Sequence, residues 1–483
     1  MRSPLTELLL ERADDDGRVF LVLEDGSSVT YAEQFDRSAR VAAALISRGA
    51  AAGKRVLVTL GNCREFYDIW FGSMLAGAVL VPANPQSSPA ELDHIRADAE
   101  PALEVASPAD VTAMLAHPAV DEFPGRAPED VAAILYTSGT TSRAKGVMVT
   151  ETNYVAVGQA VADQVGLTAE DRWLVVLPLF HANAQFYSSM SALVRGASVA
   201  LVSKFSASGW GRQARDMGAT LASLFAAPVR MILAKAEDPE DAHNSLRLVL
   251  FAQNLADQDV VAFERRFATR LVQLYGMTET VLPPTMNPLV DGIHHSIGQA
   301  LPQIHIDLVD EDGRVTGEDT GEMRIVGVPG RTLALGYWRN PSATAETFTD
   351  RGLRTGDIAR RDGAGFYYFA GRSKDMIKRS GENVSAGEVE DAASSHPGVM
   401  ECAAIGIPDP MRDEAIVLVV VSRAGTTPRE SDIIEWCGAR LSSFKVPSFV
   451  TFVDALPRTS VGKIRKTELR TALAAEHSAH RIP

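Results

Sequence analysis

Short runs of β-branched and apolar residues alternate along this chain with longer stretches whose apolar positions recur at helical spacing. Arg55–Leu60 reads as a buried strand, Glu65–Ala76 as a helix closed by Gly77, and Val79–Pro82 as a strand again. Val131–Tyr136 is a further strand, followed by a loop and a helix from about Thr152 to Gln164. Arg172–Leu177, Ser198–Val202, Thr220–Phe225, Leu246–Phe251 and Leu271–Leu274 continue the series, with apolar-periodic helices among them. Such alternation predicts mostly parallel sheets covered by helices.

Past Gly298 the texture changes. His305–Val309, Glu322–Val326 and Gly365–Phe369 are short strands divided by turn signals such as Asp312-Gly313 and Asp362-Gly363. This pattern predicts an antiparallel or barrel-like subdomain. A loop is expected around Gly371–Lys374, then a compact α+β unit. Its helices are Gly387–Ser395 and Glu430–Leu441, and its strands Cys402–Ile407, Ile416–Ser422 and Ser448–Phe452. The fold class is therefore α/β: a large N-terminal domain of helix-covered sheets with a β-barrel-like subdomain, then a small α+β C-terminal domain. The boundary is placed near Arg372, dividing 1–372 from 373–483, and the tail from Ala475 is expected to fray.

Composition narrows the function classes. A length of 483 residues calls for two or three domains, and 46% hydrophobic with 22% charged residues is the balance of a folded chain. The net charge of −14 argues against a general binder of nucleic acid or anionic membrane, since phosphate neutralisation needs surplus Lys and Arg. Small anionic ligands need only a local basic pocket and stay open. Cys63, Cys402 and Cys437 are few, odd in number and far apart, which excludes a disulfide framework and any CxxC motif. No apolar run approaches the ~20 residues of a spanning helix. A cytoplasmic protein without a membrane span is expected.

Five segments carry chemistry. Tyr136-Thr-Ser-Gly-Thr-Thr-Ser-Arg-Ala-Lys145-Gly follows a strand and gathers hydroxyls, a Gly and a Lys. Small residues let backbone N–H groups approach an anion, hydroxyls donate, and the Lys adds charge: a phosphate cradle. It is not a Walker A loop, because Lys145 precedes Gly146 instead of following it. Tyr275-Gly-Met-Thr-Glu279-Thr follows another strand, and Glu279 beside Thr278 offers hard oxygens for Mg²⁺. Taken alone, it reads equally as a capped helix start. Leu353-Arg-Thr-Gly-Asp357 sets an acid after a tight Gly, fit for two ribose hydroxyls or for an ordinary turn. Gly371-Arg372-Ser-Lys374-Asp375 is a cation cluster at the expected boundary. Leu456-Pro-Arg-Thr-Ser-Val-Gly-Lys463 puts a lysine on a loop near the C-terminus.

In order and spacing these five segments resemble the adenylate-forming superfamily of acyl-CoA synthetases, luciferases and peptide-synthetase adenylation domains. The likeness runs from about Ser28 to Lys463. It implies that Thr137, Ser138, Gly139, Thr140, Thr141 and Lys145 position the β- and γ-phosphates of ATP. It further implies that Thr278 contacts the α-phosphate, Glu279 holds Mg²⁺, and Tyr275 lies against adenine. Asp357, helped by Arg372, would take the ribose hydroxyls. Lys374 falls at the family's hinge position, and Lys463 matches the lysine that bridges substrate carboxylate and phosphate. The resemblance also implies a mobile C-terminal domain, whose rotation withdraws Lys463 and brings in the face with Lys378 and Gly381-Glu382-Asn383 to admit a thiol. ATP, Mg²⁺ and coenzyme A follow as cofactors.

Two departures from the family pattern stand out. Ser142-Arg143-Ala144-Lys145 replaces the common Gly-x-Pro-Lys, and Phe251-Ala-Gln253-Asn254-Leu255 replaces a Gly-rich turn against the adenine. His181, in Leu177-Pro-Leu-Phe-His-Ala-Asn-Ala, matches a gate over the acyl pocket, although a core or helix-starting His is its plain alternative. Ala182–Ser191 contains no acid to pair with an ammonium, which argues against an α-amino acid substrate. Asn254–Gln258, Ala262-Phe263, Arg266-Phe267, Tyr275–Thr280 and Gly381–Ser385 are similar to crotonobetaine/carnitine–CoA ligases. Phe186 and Tyr187 are candidates for an aromatic cage around a quaternary ammonium. The expected activity is an AMP-forming acyl-CoA ligase for a small or medium carboxylic acid. The alternatives are an acyl-AMP ligase that loads a carrier-protein thiol and a silent adenylate-binding protein. The oligomeric state stays open, with a homodimer one option.

Overall fold

The computed structural model describes residues 3–15, 17–137, 144–310, 312–379, 382–409, 413–458 and 464–479. The chain forms two compact units. Unit 1 comprises 1–137, 143–306 and 325–353; unit 2 comprises 138–142, 307–324 and 354–483.

Unit 1 is built on two sheets. In one, the strand order is Gly336–Tyr337, Lys145–Thr150, Val131–Thr137, Val79–Pro82, Arg55–Val58, Leu103–Val105. The last four are joined in parallel, as the strand–helix alternation requires, while Val131–Thr137 and Lys145–Thr150 form an antiparallel hairpin. The other sheet carries Arg270–Tyr275, Leu248–Ala252, Leu221–Phe225, Arg172–Val175, Ser198–Leu201 and Val19–Leu23 as parallel neighbours. Helix Arg64–Leu75 is buried along nearly its whole length and contributes Phe66, Tyr67, Trp70 and Phe71 to the core. Each such side chain stabilises the fold by roughly 1.5–3 kcal/mol through burial. Gly72 lets that helix close on helix Tyr31–Ser47, since a Cβ there would lie 2.6 Å from a Val41 methyl.

Unit 2 contains most of the strand path His305–Val309, Thr320–Val326, Gly352–Arg361, Phe366–Arg372, in which the last two are antiparallel. A second sheet runs Glu382–Ser385, Met376–Arg379, Asp413–Ser422, Val399–Asp409, with Phe449–Phe452 parallel to Asp413–Ser422. Its central strand is buried on both faces. Ile416, Leu418 and Val420 pack with helices Ala386–Ser394 and Glu430–Gly438, whereas Val417, Val419 and Val421 pack with Leu469 and Leu473 of helix Lys466–Ala479. A strand covered on both sides reads as one unbroken apolar run.

Most strands and helices read from the sequence are found within a residue or two of their expected ends. Two expectations are corrected. Gly371 and Arg372 are strand, not loop, because they pair with Ile358 and Asp357 in the antiparallel ladder. The second lies in the tail, where helix Lys466–Ala479 runs past Ala475, behind Leu469 and Leu473 packed against the sheet.

Candidate active site

In unit 1 the site grows from the hairpin. Its strands bring Thr137 and Lys145 opposite one another at the mouth of the intervening loop. Ser138, Gly139, Thr140 and Thr141 lie outside the described residues. Strand Gly336–Tyr337 adds antiparallel to Lys145–Thr150, and Trp338 N–H donates to the Gly146 carbonyl at 2.7 Å. This register sets the Lys145 Nζ 4.6 Å from the centre of the Tyr337 ring.

Glu279 approaches the same tyrosine from the other sheet. Strand Arg270–Tyr275 ends in Gly276, then a 3₁₀ turn, Thr278–Thr280, presents the carboxylate. Tyr337 Oη–H donates to Glu279 Oε1 at 2.8 Å, and Ala334 N–H donates to the Glu279 carbonyl at 3.0 Å. Glu279 is 6% exposed and Tyr337 5%. Burial, and then the Glu279 charge, push the Tyr337 hydroxyl far above the usual phenol range, so it remains a donor. The turn is stabilised by Thr280, whose Oγ1 accepts from Met277 N–H at 3.2 Å. Thr278 is thereby relieved of the capping role that the sequence offered as its plain alternative. Tyr275 ends its strand opposite Thr285, and a Cβ at Gly276 would meet the Tyr187 hydroxyl at 2.7 Å.

His181 is half-buried, with its ring 4.4 Å from that of Phe180 and its N–H donating to Pro178 O at 3.0 Å. It stands just before a π-helix, Asn183–Met190, a feature no sequence pattern announced. Such wide turns gather at functional sites. Neutral polar side chains lock this one: Tyr154 Oη donates to Gln185 Oε1 at 2.5 Å, Gln185 Nε2 to Leu179 O at 2.7 Å, and Ser223 Oγ to Asn183 Oδ1 at 2.9 Å. Phe186 is fully buried, edge-on to Tyr154. Nearby in sequence to the strand Leu248–Ala252, Gln253 adopts φ +76°, the left-handed conformation that favours glycine. Its carbonyl accepts from Gln273 Nε2 at 3.1 Å, and Arg230 holds the next carbonyl, that of Asn254, at 2.8 Å. A non-glycine residue thus holds a left-handed conformation at this turn.

Unit 2 holds the other carboxylate. Asp357 is 3% exposed and opposes Arg372 in the ladder, with Arg372 Nε 3.0 Å from its Oδ1. Lys374 falls in the 3₁₀ turn Ser373–Asp375 that follows. Lys378 is exposed on strand Met376–Arg379, its N–H donating to Glu414 Oε2 at 2.7 Å. Gly381 and Lys463 lie outside the described residues. The chain on either side of Lys463 is pinched together by an Arg458–Ile464 bridge and an Arg465 N–H to Pro457 O bond of 2.8 Å. Lys466 then pairs with the half-buried Glu390 at 2.7 Å.

Family models match at both ends of the chain: AMP-binding enzyme over residues 11–338 and AMP-binding enzyme C-terminal domain over 388–463. The chain belongs to the AMP-binding enzyme family. A crotonobetaine/carnitine–CoA ligase of Citrobacter koseri is 35% identical, with 93% of this chain and 95% of that protein covered. ATP-bound MatB from Rhodopseudomonas palustris superposes with a TM-score of 0.91 at 29% identity, covering 98% of this chain and 99% of that one. The anthranilate CoA ligase AuaEII, in complex with anthranoyl-AMP, gives 0.90 at 25% identity, covering 98% of both chains. The enzyme is thus an AMP-forming acyl-CoA ligase by family, a class that uses ATP, Mg²⁺ and coenzyme A. Among the described residues, no helix is long and apolar enough to cross a membrane.

Tyr337 was missed by sequence reading. It lies 58 residues from Glu279, and only the pairing of its two-residue strand with the hairpin brings it there.

Proposed function

We propose that the enzyme activates a small or medium carboxylic acid as its acyl-adenylate and transfers the acyl group to the thiol of coenzyme A. The observation that carries this reading is the line Lys145–Tyr337–Glu279, which sets an ammonium and a carboxylate at one place beside the phosphate loop. A substrate carboxylate oxygen forms a bond to the α-phosphorus while the bond to pyrophosphate breaks. The thiol sulfur then bonds to the acyl carbon, and AMP leaves with the electron pair of the broken C–O bond.

Such chemistry asks the protein mainly for positioning and charge neutralisation. Lys145, with Thr137 through Thr141, holds the β- and γ-phosphates, and Thr278 holds the α-phosphate. Glu279 fits Mg²⁺ by its hard, buried oxygen donors, since that ion takes one or two carboxylates plus substrate phosphates. When bound, Mg²⁺ supplies charge neutralisation at the triphosphate. Tyr275 takes the adenine face. Asp357, with Arg372, takes the ribose hydroxyls. Lys463 bridges the acid and the α-phosphate, and His181 gates the acyl pocket. Lys374 is the hinge between 1–372 and 373–483; its motion brings Lys378 and Gly381 to the thiol. Lys463→Ala is expected to slow adenylation a few hundredfold, about 3–4 kcal/mol, while thioester formation from supplied acyl-adenylate persists. An unchanged adenylation rate would contradict that role.

The acid is set at the level of class. Asn183, Gln185, Ser188 and Ser189 are buried and neutral, so the described helix Asn183–Met190 offers no counter-charge to an α-ammonium. Phe186 is committed to the core against Tyr154, so a quaternary-ammonium cage does not draw on it. Cys402 and Cys437 are buried and free, in keeping with a cytoplasmic setting.

Pyrophosphate release across a panel of carboxylic acids, each with and without coenzyme A, tests the proposal. Turnover that is sustained only with coenzyme A supports the ligase. Enzyme-equivalent pyrophosphate regardless of coenzyme A would favour the second reading, an acyl-AMP ligase serving a carrier-protein thiol.

A further inference from the structure

We propose that Tyr337 is a positioning residue that keeps the Lys145 ammonium and the Glu279 carboxylate apart, each set for its own part of the magnesium–nucleotide complex. The inference rests on the reading of Lys145 as a phosphate ligand and Glu279 as the metal-holding carboxylate.

Both charges touch one aromatic side chain. Lys145 Nζ sits 4.6 Å from the ring centre, over the electron-rich face, and Glu279 Oε1 accepts a hydrogen bond from the Tyr337 hydroxyl at 2.8 Å. Opposite charges that share one side chain, where Glu279 is 6% exposed, attract more strongly than they would in water. A direct lysine–glutamate pair would neutralise both groups, and phosphate and metal would have to break it before binding. Tyr337 substitutes a neutral partner for each. The ring holds the ammonium without cancelling its charge, and the hydroxyl orients the carboxylate without cancelling the negative charge a cation needs.

The tyrosine can do this because its own position is fixed from several sides. Its backbone pairs with Val147, and its N–H donates to Thr344 Oγ1 at 2.9 Å. Phe348 packs edge-on at 5.7 Å. The segment leading into it is tied to the start of helix Glu151–Gln164. There Thr150 Oγ1 donates to Gly330 O at 2.6 Å, and Asn153 Nδ2 donates to Arg331 O at 2.7 Å and Leu333 O at 3.0 Å. Ala334 N–H, next along, holds the backbone of Glu279 itself. A single clamp thus sets the hairpin, the tyrosine and the glutamate turn.

Tyr337→Phe keeps the ring and removes the donor; Tyr337→Leu removes both. Glu279→Gln serves as the reference for metal binding. The readouts are Mn²⁺ binding in the presence of ATP and without any acid, followed by electron paramagnetic resonance, and the Mg²⁺ dependence of pyrophosphate release. Tyr337→Phe is expected to weaken Mn²⁺ binding and raise the half-saturating Mg²⁺ about tenfold, the scale of one hydrogen bond to a charged group. Its KM for ATP at saturating Mg²⁺ should stay within about threefold of the parent, because the cation–π contact survives. Tyr337→Leu should add a rise in that KM. Should Tyr337→Leu fail to fold, the near-isosteric Tyr337→Phe still decides. A parental metal response in Tyr337→Phe, with Glu279→Gln shifted, overturns the proposal alone. A parental response in Glu279→Gln overturns the reading beneath it as well.

Discussion

Glu279 in unit 1 and Asp357 in unit 2 are both carboxylates withdrawn almost entirely from solvent, at 6% and 3% exposure, yet their partners differ in kind. Glu279 accepts from a phenol, which is neutral and stays so. Asp357 faces the guanidinium of Arg372 at 3.0 Å across a strand pair. A buried acid whose partner is neutral keeps a charge to offer, and a cation is its natural complement. An acid already paired with Arg has little net charge left but retains lone pairs, which suits the hydroxyl donors of a ribose. Burial is common to the two; the identity of the partner separates their roles.

The comparison can be broken at either residue. Glu279→Gln removes the charge and keeps the shape, and pyrophosphate release should fall about a hundredfold or more, roughly 3–4 kcal/mol. That loss should be recovered in part at high Mg²⁺. Asp357→Asn should act through nucleotide binding instead, raising the KM for ATP ten- to a hundredfold, on the scale of one or two charge-assisted hydrogen bonds. Arg372→Met should follow with a smaller rise, near tenfold, since the arginine is itself 41% exposed on its side chain and water can replace part of its contact. Steady-state kinetics across ATP and Mg²⁺ concentrations would check all three, and an equal response to Mg²⁺ in every variant would erase the distinction.

A third buried carboxylate sharpens the contrast by having no share in the chemistry. Glu151 lies 3.1 Å from Arg126, and burial, only partly offset by that arginine, pushes its pKa up to about 7. The folded chain therefore binds a proton that the unfolded chain has already released. Stability should be greatest below about pH 4.5 with respect to this group, and should decline as pH rises to about 7, by up to about 3 kcal/mol. Glu151→Gln should flatten that slope in thermal melts between pH 5 and pH 8 and leave turnover close to the parent. A slope that persists would mean another group carries it.

Much of this was legible in the sequence, for identifiable reasons. Strands such as Val79–Pro82 and helices such as Arg64–Leu75 are fixed by local apolar period, and their ends by a cap or a turn residue. The order of the five chemical segments alone points to the family. What escaped depends on contacts between distant segments. Tyr337 has no local mark of its partnership with Glu279, because the pairing is made by a two-residue strand joining a hairpin. The π-helix at Asn183–Met190 arises from buried polar side chains whose partners, Tyr154 and Ser223, lie on other elements. The loop expected around Gly371–Lys374 is strand as far as Arg372, whose pairing with the distant Asp357 keeps it in the ladder. Gln253, which departs from the glycine turn of the family pattern, adopts the left-handed conformation that glycine favours, and the carbonyls of Gln253 and Asn254 are held by Gln273 and Arg230.

The most direct measurement is the Mg²⁺ dependence of ATP–pyrophosphate exchange in Glu279→Gln and Asp357→Asn, compared side by side with the parent. The account predicts a strong shift to higher Mg²⁺ for Glu279→Gln, and for Asp357→Asn an unshifted Mg²⁺ curve with a raised ATP requirement. Equal Mg²⁺ curves for the two variants, or a shift confined to Asp357→Asn, would contradict it.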